Sequence, residues 1–186
     1  MVDVRVREGV YVPAEDTFLI AKHIPTKLKG KKVLDLGCGS GLLAVTAAIH
    51  GGEVTATDIN PIALKNTGEN AKRFDVNVKL IESDLFNKIG GKFDLILFNP
   101  PYIPSDEHDI YLSPTMRKAL VSGKRGIDIM KRFLKEYKNY LKRGGKVLLV
   151  VSSLNKIKRD LEKGGWKEID SDSFFYEKIY LMEFKY

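Results

Sequence analysis

Cysteine, histidine and long apolar runs are all scarce in this 186-residue chain, and each scarcity excludes a class of protein. A single cysteine, Cys38, excludes an intrachain disulfide and favours a reducing compartment. Three scattered histidines show none of the ligand spacings of a metal site. No apolar run approaches the roughly 20 residues of a membrane-spanning helix, and Met1–Gly9 alternates charge with valine, unlike a signal peptide. We therefore expect a cytoplasmic protein with no bound metal and no membrane partner.

Charge is unevenly distributed along a chain of otherwise ordinary composition. Hydrophobic residues make up 44% and charged residues 30%, so residues 1–186 are expected to form one folded domain. The net charge is +7, yet residues 117–167 alone carry 16 Lys and Arg against 4 Asp and Glu. Two interpretations stay open: solvated helix faces of a lysine-rich protein, or a surface for an acidic partner or RNA.

Strands and helices are predicted to alternate along the chain. Apolar runs rich in β-branched residues predict strands at 31–37, 53–59, 77–83, 93–99, 146–153, 166–172 and 177–185. Near-continuous apolar runs such as Val147–Val151 are typical of strands covered on both faces. Alternation of this kind predicts a doubly wound parallel sheet, in which ligands bind beyond the carboxyl ends of the strands.

Two of the helices have clear boundary signals. One is predicted to begin with Asn60 as N-cap and Pro61 in the first helical position. Its apolar stripe comprises Ala63, Leu64, Thr67, Ala71 and Phe74. Another spans 126–143, where apolar residues recur at helical spacing, and Gly144-Gly145 are predicted to end it.

The segment "DLGCGSGLLA" follows the first predicted strand and is rich in glycine. Gly37, Gly39 and Gly41 allow positive φ and a close approach of a ligand to the backbone at a helix N-terminus. A dinucleotide fingerprint needs a glycine where Leu42 stands, so a pyrophosphate reader is disfavoured. Asp35 would repel phosphates and suits a cationic ligand group instead.

Acidic residues also follow the next two strands. Asp58 ends the second strand in "TDINP", where a carboxylate can accept both hydroxyls of a ribose. Asp84 and Leu85 end the third in "SDLF", where the carboxylate can accept the exocyclic amine of adenine and the Leu85 N–H can donate to a ring nitrogen. Together with the glycine loop, these residues predict a site for adenosine across three strand ends.

In order and spacing, "VLDLGCGSG", "TDINP", "SDLF" and "FNPPY" resemble a class I S-adenosylmethionine (SAM)-dependent methyltransferase. The Asn-Pro-Pro-Tyr motif marks the branch that methylates nitrogen conjugated to a flat π-system. Two further stretches, "VYVPAEDTFLIAKHI" (10–24) and "LVSGKRGIDIMKRFL" (120–134), resemble the compact archaeal and eukaryotic HemK-like glutamine methyltransferases. We therefore expect a member of the compact branch, without the N-terminal helical domain of bacterial HemK.

The resemblance implies a fold and a set of site residues. The expected fold is Rossmann-like: a seven-stranded, mostly parallel sheet with an antiparallel C-terminal strand and helices on both faces. Residues 1–30 are expected to form a helical cap over the cofactor, and the long connection 102–126 to shape the substrate mouth. The residues implied for SAM are Thr17, Asp35, Gly37, Gly39, Gly41, Asp58, Asp84, Leu85 and Asn99. Those implied for the substrate are Asn99, Pro100, Pro101 and Tyr102.

The motif also suggests a mechanism. Resonance spreads the lone pair of an amide nitrogen into its carbonyl, which makes it a poor nucleophile. Asn99 Oδ1 and the Pro100 carbonyl, accepting one amide hydrogen each, would aim the nitrogen and make it more electron-rich. The prolines hold this geometry because each has a fixed φ and no N–H. Tyr102 would stack on the flat group.

Three functions are compatible with these residues. The first is methylation of the glutamine in the Gly-Gly-Gln loop of a class I release factor, as the resemblance implies. The second is methylation of an exocyclic amine of adenine or guanine in RNA or DNA, which the basic region 117–167 favours. The third is a nucleoside-binding module without catalysis, which leaves "NPPY" unexplained.

The resemblance finally implies a partner. Compact members of this branch act with a small zinc-binding activator protein that adds to the edge of the sheet. The strand near 76–84 is expected to be that edge, and an uncovered edge can accept another strand.

Overall fold

The computed structural model describes residues 2–174 and 176–186. They contain one seven-stranded sheet, with its strands in the order β3-β2-β1-β4-β5-β7-β6. The strands are β1 (Lys32–Leu36), β2 (Glu53–Asp58), β3 (Val78–Glu82), β4 (Phe93–Phe98), β5 (Leu141–Ser152), β6 (Lys167–Phe174) and β7 (Glu177–Lys185). Strands β1 to β5 are parallel, and β7 runs antiparallel to both β5 and β6. The predicted fold class is confirmed, and so is the position of β3 at an edge.

The strand order reverses between β1 and β4, at the centre of the sheet. Chain connections leave these neighbouring parallel strands in opposite directions, which opens a crevice at their carboxyl ends. Leu36 pairs with Phe98 at this end, so the glycine loop after β1 and the Asn-Pro-Pro-Tyr segment after β4 lie side by side.

Helices cover both faces of the sheet. They are α1 (Glu15–Lys22), α2 (Leu42–Ile49), α3 (Pro61–Arg73), α4 (Pro114–Leu120), α5 (Asp128–Glu136) and α6 (Lys158–Lys163). On one face, α1 and α2 bury Ile20 and Leu43 against alternate residues of the strands. On the other, α5 and α6 bury Phe133 and Leu161 in a second cluster that includes several stacked aromatic rings.

The start of α3 follows its predicted capping. Asn60 Oδ1 accepts the N–H of Ile62 at 3.0 Å, and Pro61 occupies the first turn, where no N–H is needed. The buried face differs from the predicted apolar stripe, because Asn66 and Asn70 are buried there while Leu64 and Phe74 are half-buried. The reason is a tertiary one: the two asparagines bond to backbone groups of other segments.

The predicted helix 126–143 was wrong at its C-terminal end. Helix α5 ends at Glu136, a 3-10 helix covers Tyr137–Tyr140, and β5 has already begun at Leu141. The pairing of β4 with β5 shifts register between Phe93 and Leu95, and Gly145 lies against this irregularity. A Cβ on Gly145 would come within 3.0 Å of the Phe93 carbonyl oxygen, so the glycines permit a bulged strand and do not end the helix.

Candidate active site

A cavity of about 310 Å³ opens at the carboxyl ends of β1 to β4. Its walls come from the segments after these strands, from residues 10–17 and from α4 and α5. The predicted site residues that line it are Thr17, Gly37, Gly39, Asp58, Asp84, Leu85, Asn99, Pro100, Pro101 and Tyr102. Asp35 and Gly41 are absent from this lining, so the structure brings together ten of the predicted positions in one cavity.

The three glycines of the loop differ in their surroundings, although all have positive φ. A Cβ on Gly39 would meet no atom within 4 Å, and one on Gly37 would meet a single ring carbon of Phe98 at 4.0 Å. A Cβ on Gly41 would lie 2.8 Å from Thr67 of α3. Gly37 and Gly39 therefore leave open space at the cavity, whereas Gly41 allows α2 and α3 to pack closely.

Asp35 in β1 is fully buried and does not line the cavity. Neither carboxyl oxygen has a hydrogen-bond partner among the described residues. Burial raises the pKa of Asp35 to about 7, and the Asp58 charge adds to the shift. The Ala44 N–H at the start of α2 opposes the shift without reaching hydrogen-bond geometry. A buried acid without a partner is costly to ionise.

Asp58 joins the end of β2 to the glycine loop. Its Oδ2 accepts the N–H of Gly39 at 3.0 Å, and its Oδ1 accepts the N–H of Asn60 at 2.8 Å. Burial raises the pKa of Asp58, and these backbone N–H groups counteract the shift. Each carboxylate oxygen has a second lone pair, so the group can hold the loop and still accept ligand hydroxyls.

The turn after β3 has an unusual backbone. Leu85 has φ of 47°, a left-handed conformation that a leucine rarely adopts. The Ser83 hydroxyl holds it: Ser83 Oγ donates to the Leu85 carbonyl at 2.9 Å and accepts the N–H of Lys88 at 3.1 Å. Asp84 pairs through Oδ2 with Arg132 of α5 at 2.8 Å, which leaves its Oδ1 for a ligand.

Asn99 is oriented by Thr17, a residue 82 positions away. Asn99 Nδ2 donates to Thr17 Oγ1 at 3.2 Å, and that hydroxyl in turn donates to Asp16 Oδ1 at 3.1 Å. Because the single hydroxyl proton goes to the carboxylate, Thr17 accepts from the Asn99 amide, which defines which side of the amide is oxygen. Asn99 Oδ1 is buried and has no hydrogen-bond partner in the described chain.

Asp16 is the centre of this network, and sequence reasoning missed it. Its carboxylate accepts the hydroxyls of Tyr11 and Tyr102 at 3.0 and 3.1 Å, besides the Thr17 hydroxyl. Burial, together with the Asp16 charge, raises the pKa of both tyrosines well above the usual range, so their hydroxyls remain donors. Asp16 thereby joins the extended N-terminal segment, α1 and the Asn-Pro-Pro-Tyr segment.

The sequence analysis also missed Ser83 and Arg132. Asp16 itself stands in the stretch 10–24, but nothing in the local sequence shows that the tyrosines at positions 11 and 102 bond to it.

The connection 102–126 contains more regular structure than a loop. A 3-10 helix spans Glu107–Tyr111, and α4 follows it and contributes Thr115 and Lys118 to the cavity wall. The two ends of the connection are joined, because the N–H of Ile103 donates to the Leu120 carbonyl at 2.9 Å.

The described residues contain neither a metal-ligand cluster nor a membrane-spanning helix. No group of three or more His, Cys, Asp or Glu side chains is arranged to hold a metal ion. No helix there combines the length and the apolar character needed to cross a membrane.

The overall fold has a counterpart of known structure. A methyltransferase from Pyrococcus furiosus matches with a TM-score of 0.71 over 99% of this chain and 89% of its own, at 23% identity. The fold and the site therefore define a Rossmann-like α/β domain with a ligand cavity at its strand ends.

Sequence comparison specifies the family. The family model described as Methyltransferase small domain matches residues 4–164, and the chain belongs to that family. A Methanocaldococcus jannaschii protein, provisionally named a protein N5-glutamine methyltransferase, is 42% identical over 163 residues, covering 87% of this chain and 82% of that protein. The release factor glutamine methyltransferase of Deinococcus radiodurans is 36% identical over 149 residues. This chain spans 53% of the length of that bacterial relative.

Proposed function

We propose that this protein transfers a methyl group from SAM to the side-chain amide nitrogen of the glutamine in the Gly-Gly-Gln loop of a class I release factor. The observation that carries the chemistry is the buried Asn99 Oδ1, an acceptor withheld from water and from the described protein donors. Buried polar atoms without partners are rare, and a bound substrate N–H would satisfy this one. The names of the two relatives support the choice of glutamine.

The cavity fits SAM on several observations. Space beside Gly37 and Gly39 allows a ligand to approach the backbone. The Asp58 carboxylate can accept ribose hydroxyls, and the left-handed turn at Leu85, with Asp84 beside it, suits an adenine edge. The contact of Asp35 with the cationic end of the cofactor stays a prediction, because Asp35 does not line the cavity. When bound, SAM supplies a methyl group on a positively charged sulfur, an electrophile that needs no metal.

The chain's own task is to orient a weak nucleophile. Asn99 Oδ1 and the Pro100 carbonyl would each accept one N–H of the substrate amide, which aims its nitrogen and increases its electron density. Orientation of this kind contributes on the order of 7–11 kcal/mol in favourable cases. Acceptors placed where charge develops add about 3–4 kcal/mol. Thr17 supports this role, because its hydroxyl prevents the Asn99 amide from turning its N–H₂ toward the substrate.

The reaction needs no tuned general base. The amide proton becomes acidic once the nitrogen is methylated, and it can leave to water. Burial raises the pKa of Asp35 to about 7, but Asp35 does not line the cavity. Tyr11 and Tyr102 keep their protons because burial and the Asp16 charge raise their pKa. Tyr102 lines the cavity, and a stacking role for its ring stays a prediction.

We also propose that 10–17 and the connection 102–126 close the site. Val10, Tyr11 and Pro13 line the cavity, and so do Thr115 and residues 118–121. The connection would then determine which substrates reach Asn99. The zinc-binding activator stays a prediction; β3 is an edge strand, and Leu80 on it is 37% exposed.

One observation favours the nucleobase alternative. Lys118 and Arg132 line the cavity, and they belong to the basic region 117–167, where RNA phosphates would bind. The same Asn99 geometry would accept an exocyclic amine as readily as an amide.

Incubation with methyl-labelled SAM separates these functions. The proposal expects label in the release factor, and loss of that label when the glutamine of its Gly-Gly-Gln loop is changed to alanine. Label in rRNA or tRNA, with none in the release factor, would establish the alternative. Tight SAM binding without transfer to either would indicate a binding module.

A further inference from the structure

Asn155 is a buried amide in the turn that follows β5, the strand beside β4. It is 1% exposed and lies in a 3-10 helix, Ser153–Asn155. Its Oδ1 accepts the N–H of Ser152 at 3.2 Å, while the Ser152 hydroxyl accepts the N–H of Leu154 at 3.0 Å. These two bonds form a local capping box, and the one from the Ser152 N–H orients the Asn155 amide, so that its N–H₂ group points away from its own turn.

The N–H₂ group of Asn155 reaches three carbonyl oxygens of a distant segment. Nδ2 lies 2.7 Å from the Tyr102 oxygen, 3.2 Å from the Arg125 oxygen and 3.2 Å from the Gly126 oxygen. Its two hydrogens are therefore shared among three acceptors. Asn155 joins the first residue of the connection 102–126 to its last.

Gly126 makes this junction possible. Its φ is 65°, and a Cβ there would collide with the Tyr102 carbonyl and come within 2.7 Å of Asn155 Nδ2. Two further hydrogen bonds continue the junction, from the Ser122 N–H to the Ile103 carbonyl at 3.0 Å and from the Ser105 N–H to the Gly123 carbonyl at 2.9 Å. Asn155 is thus the side chain that holds the backbone directly after the prolines, at the Tyr102 carbonyl.

The prolines explain why that point matters. Pro100 and Pro101 have no N–H, so neither can anchor the backbone by donating a hydrogen bond. The Pro100 carbonyl direction depends on the anchors on either side. Thr17 holds Asn99 before the prolines, and Asn155 holds the Tyr102 carbonyl after them.

We infer that Asn155 is a positioning residue for methyl transfer: by fixing the Tyr102 carbonyl, it keeps the Asn99 and Pro100 acceptors aimed at the substrate nitrogen. The inference rests on the proposed function and adds a residue to it. Asn155 does not line the cavity and does not touch the substrate. It acts through the backbone of residues 100–102.

Asn155→Asp is the sharpest test, because it keeps the shape and the Oδ1 acceptor and removes both N–H donors. Ser152→Ala is the matched control, since it removes the hydroxyl bond to Leu154 from the same turn and keeps the Ser152 N–H that holds Asn155 Oδ1. We expect Asn155→Asp to lower kcat by about tenfold to 100-fold, as small displacements of reacting groups do. SAM affinity should stay within about twofold, because the glycine loop lies on other strands. Ser152→Ala should lose melting temperature with kcat nearly unchanged.

The pH profile adds a readout that a purely structural role would not move. In the Asn155→Asp variant, the introduced carboxyl can donate one hydrogen bond to the Tyr102 carbonyl when it is protonated, whereas its ionised form repels that oxygen. The kcat of Asn155→Asp relative to wild type should therefore rise as pH falls, at temperatures well below unfolding. Equal losses of kcat in Asn155→Asp and Ser152→Ala, or no loss in Asn155→Asp, would overturn the inference.

Failure of the proposed function is distinguishable from failure of this inference. If wild type labels no release factor, the proposed function is wrong, and the variants are compared on whichever protein, rRNA or tRNA substrate takes label. Hydrogen exchange tests the anchoring without any substrate: the Ile103 and Ser122 amides should exchange faster in Asn155→Asp, while the β1 amides do not change. Unchanged exchange at both positions would refute the role of Asn155 whatever the substrate.

Discussion

At the scale of single residues, the site depends on amides and hydroxyls whose orientation is set by their neighbours. Asn99 lines the cavity, its Nδ2 is engaged by Thr17, and its buried Oδ1 has no partner among the described residues. Asp35 differs from Asn99, because neither oxygen of its buried carboxyl group has a hydrogen-bond partner in the described chain.

Removal of the Asn99 amide should nearly abolish methyl transfer and leave SAM affinity almost unchanged. Asn99→Ala is expected to lower kcat by about 10³-fold, since it removes an acceptor that acts on developing charge. SAM affinity, measured by calorimetry, should change by no more than a few-fold. Thr17→Val keeps the shape and lets the Asn99 amide rotate, so it should give a smaller loss of kcat. Near-normal turnover by Asn99→Ala would refute its assigned role.

Asp35 should make stability depend on pH. Its pKa is about 7 in the folded protein and 3.8 when unperturbed, so between these values the folded state binds more protons than the unfolded state. Stability is therefore lost as pH rises through this window and levels off above it. Asp35→Asn cannot ionise and should gain about 3–4 kcal/mol relative to wild type at pH 8, and much less at pH 4. Urea denaturation at several pH values measures the difference.

Asp94→Asn is a control of opposite sign. Burial alone would raise the pKa of Asp94, but hydrogen bonds from Lys142 and from the Lys32 N–H lower it. The Asp94 charge therefore contributes stability that is lost as pH falls. A stability difference for Asp35→Asn that shows no trend with pH would contradict the buried, partnerless state of Asp35.

At the scale of elements, one loop serves both packing and binding. The glycine loop between β1 and α2 has open space at Gly39 and close contact with α3 at Gly41. The hydrogen bond from the Thr67 hydroxyl to the Gly39 carbonyl at 3.2 Å ties the loop to the same helix. Glycine is needed at both positions for φ above zero, but a side chain would have different effects at each.

Alanine at the two glycines should separate stability from binding. Gly41→Ala places a Cβ 2.9 Å from the Thr67 Cα, a backbone atom that cannot move aside, and should cost about 2–4 kcal/mol in urea denaturation. Gly39→Ala meets no protein atom, so its cost should be limited to the strain of positive φ, about 1–2 kcal/mol. Its methyl group would occupy ligand space and lower SAM affinity at least tenfold. A larger stability loss for Gly39→Ala than for Gly41→Ala would disprove this division.

At the scale of the whole molecule, two asparagines of α3 connect the N-terminal segment to the site. Asn70 accepts the Arg5 N–H at 3.0 Å and donates to the Arg5 carbonyl at 2.7 Å, as a neighbouring β-strand would. It also donates to the Ser40 carbonyl of the glycine loop at 2.9 Å. Asn66 repeats this arrangement with Arg7 and Arg5. The segment that leads to Tyr11 and Asp16 is thereby fixed relative to the cavity.

Truncation of Asn70 should therefore affect both stability and the site. Asn70→Ala leaves the Arg5 N–H and the Ser40 carbonyl without this partner, and we expect a loss of about 2–4 kcal/mol in the free energy of unfolding. Lys72→Ala, on the exposed face of the same helix, should stay within about 0.5 kcal/mol of wild type. A loss for Asn70→Ala no greater than that of Lys72→Ala would show that the N-terminal segment is held by other contacts.

Local signals in the sequence predicted much of this architecture. Apolar runs located the strands, and the fold class follows from their alternation with helices. Asn60 and Pro61 located the start of α3 because capping depends on the adjacent backbone. Gly144-Gly145 misled the prediction for the same reason: a helix end and a strand bulge both need glycine, and pairing with β4 decided between them.

By itself, the sequence determined where the glycine loop, the acidic strand ends and the Asn-Pro-Pro-Tyr segment stand along the chain, because φ preferences and apolar periodicity act over a few residues. The tertiary structure alone decided which way the Asn99 amide faces and that Asp35 is buried without a hydrogen-bond partner among the described residues. It also decided that Thr17 and Asn155 hold the segment on either side of the prolines. Those outcomes depend on hydrogen bonds between residues such as Asn99 and Thr17, 82 positions apart, which meet only when the sheet brings the strand ends together.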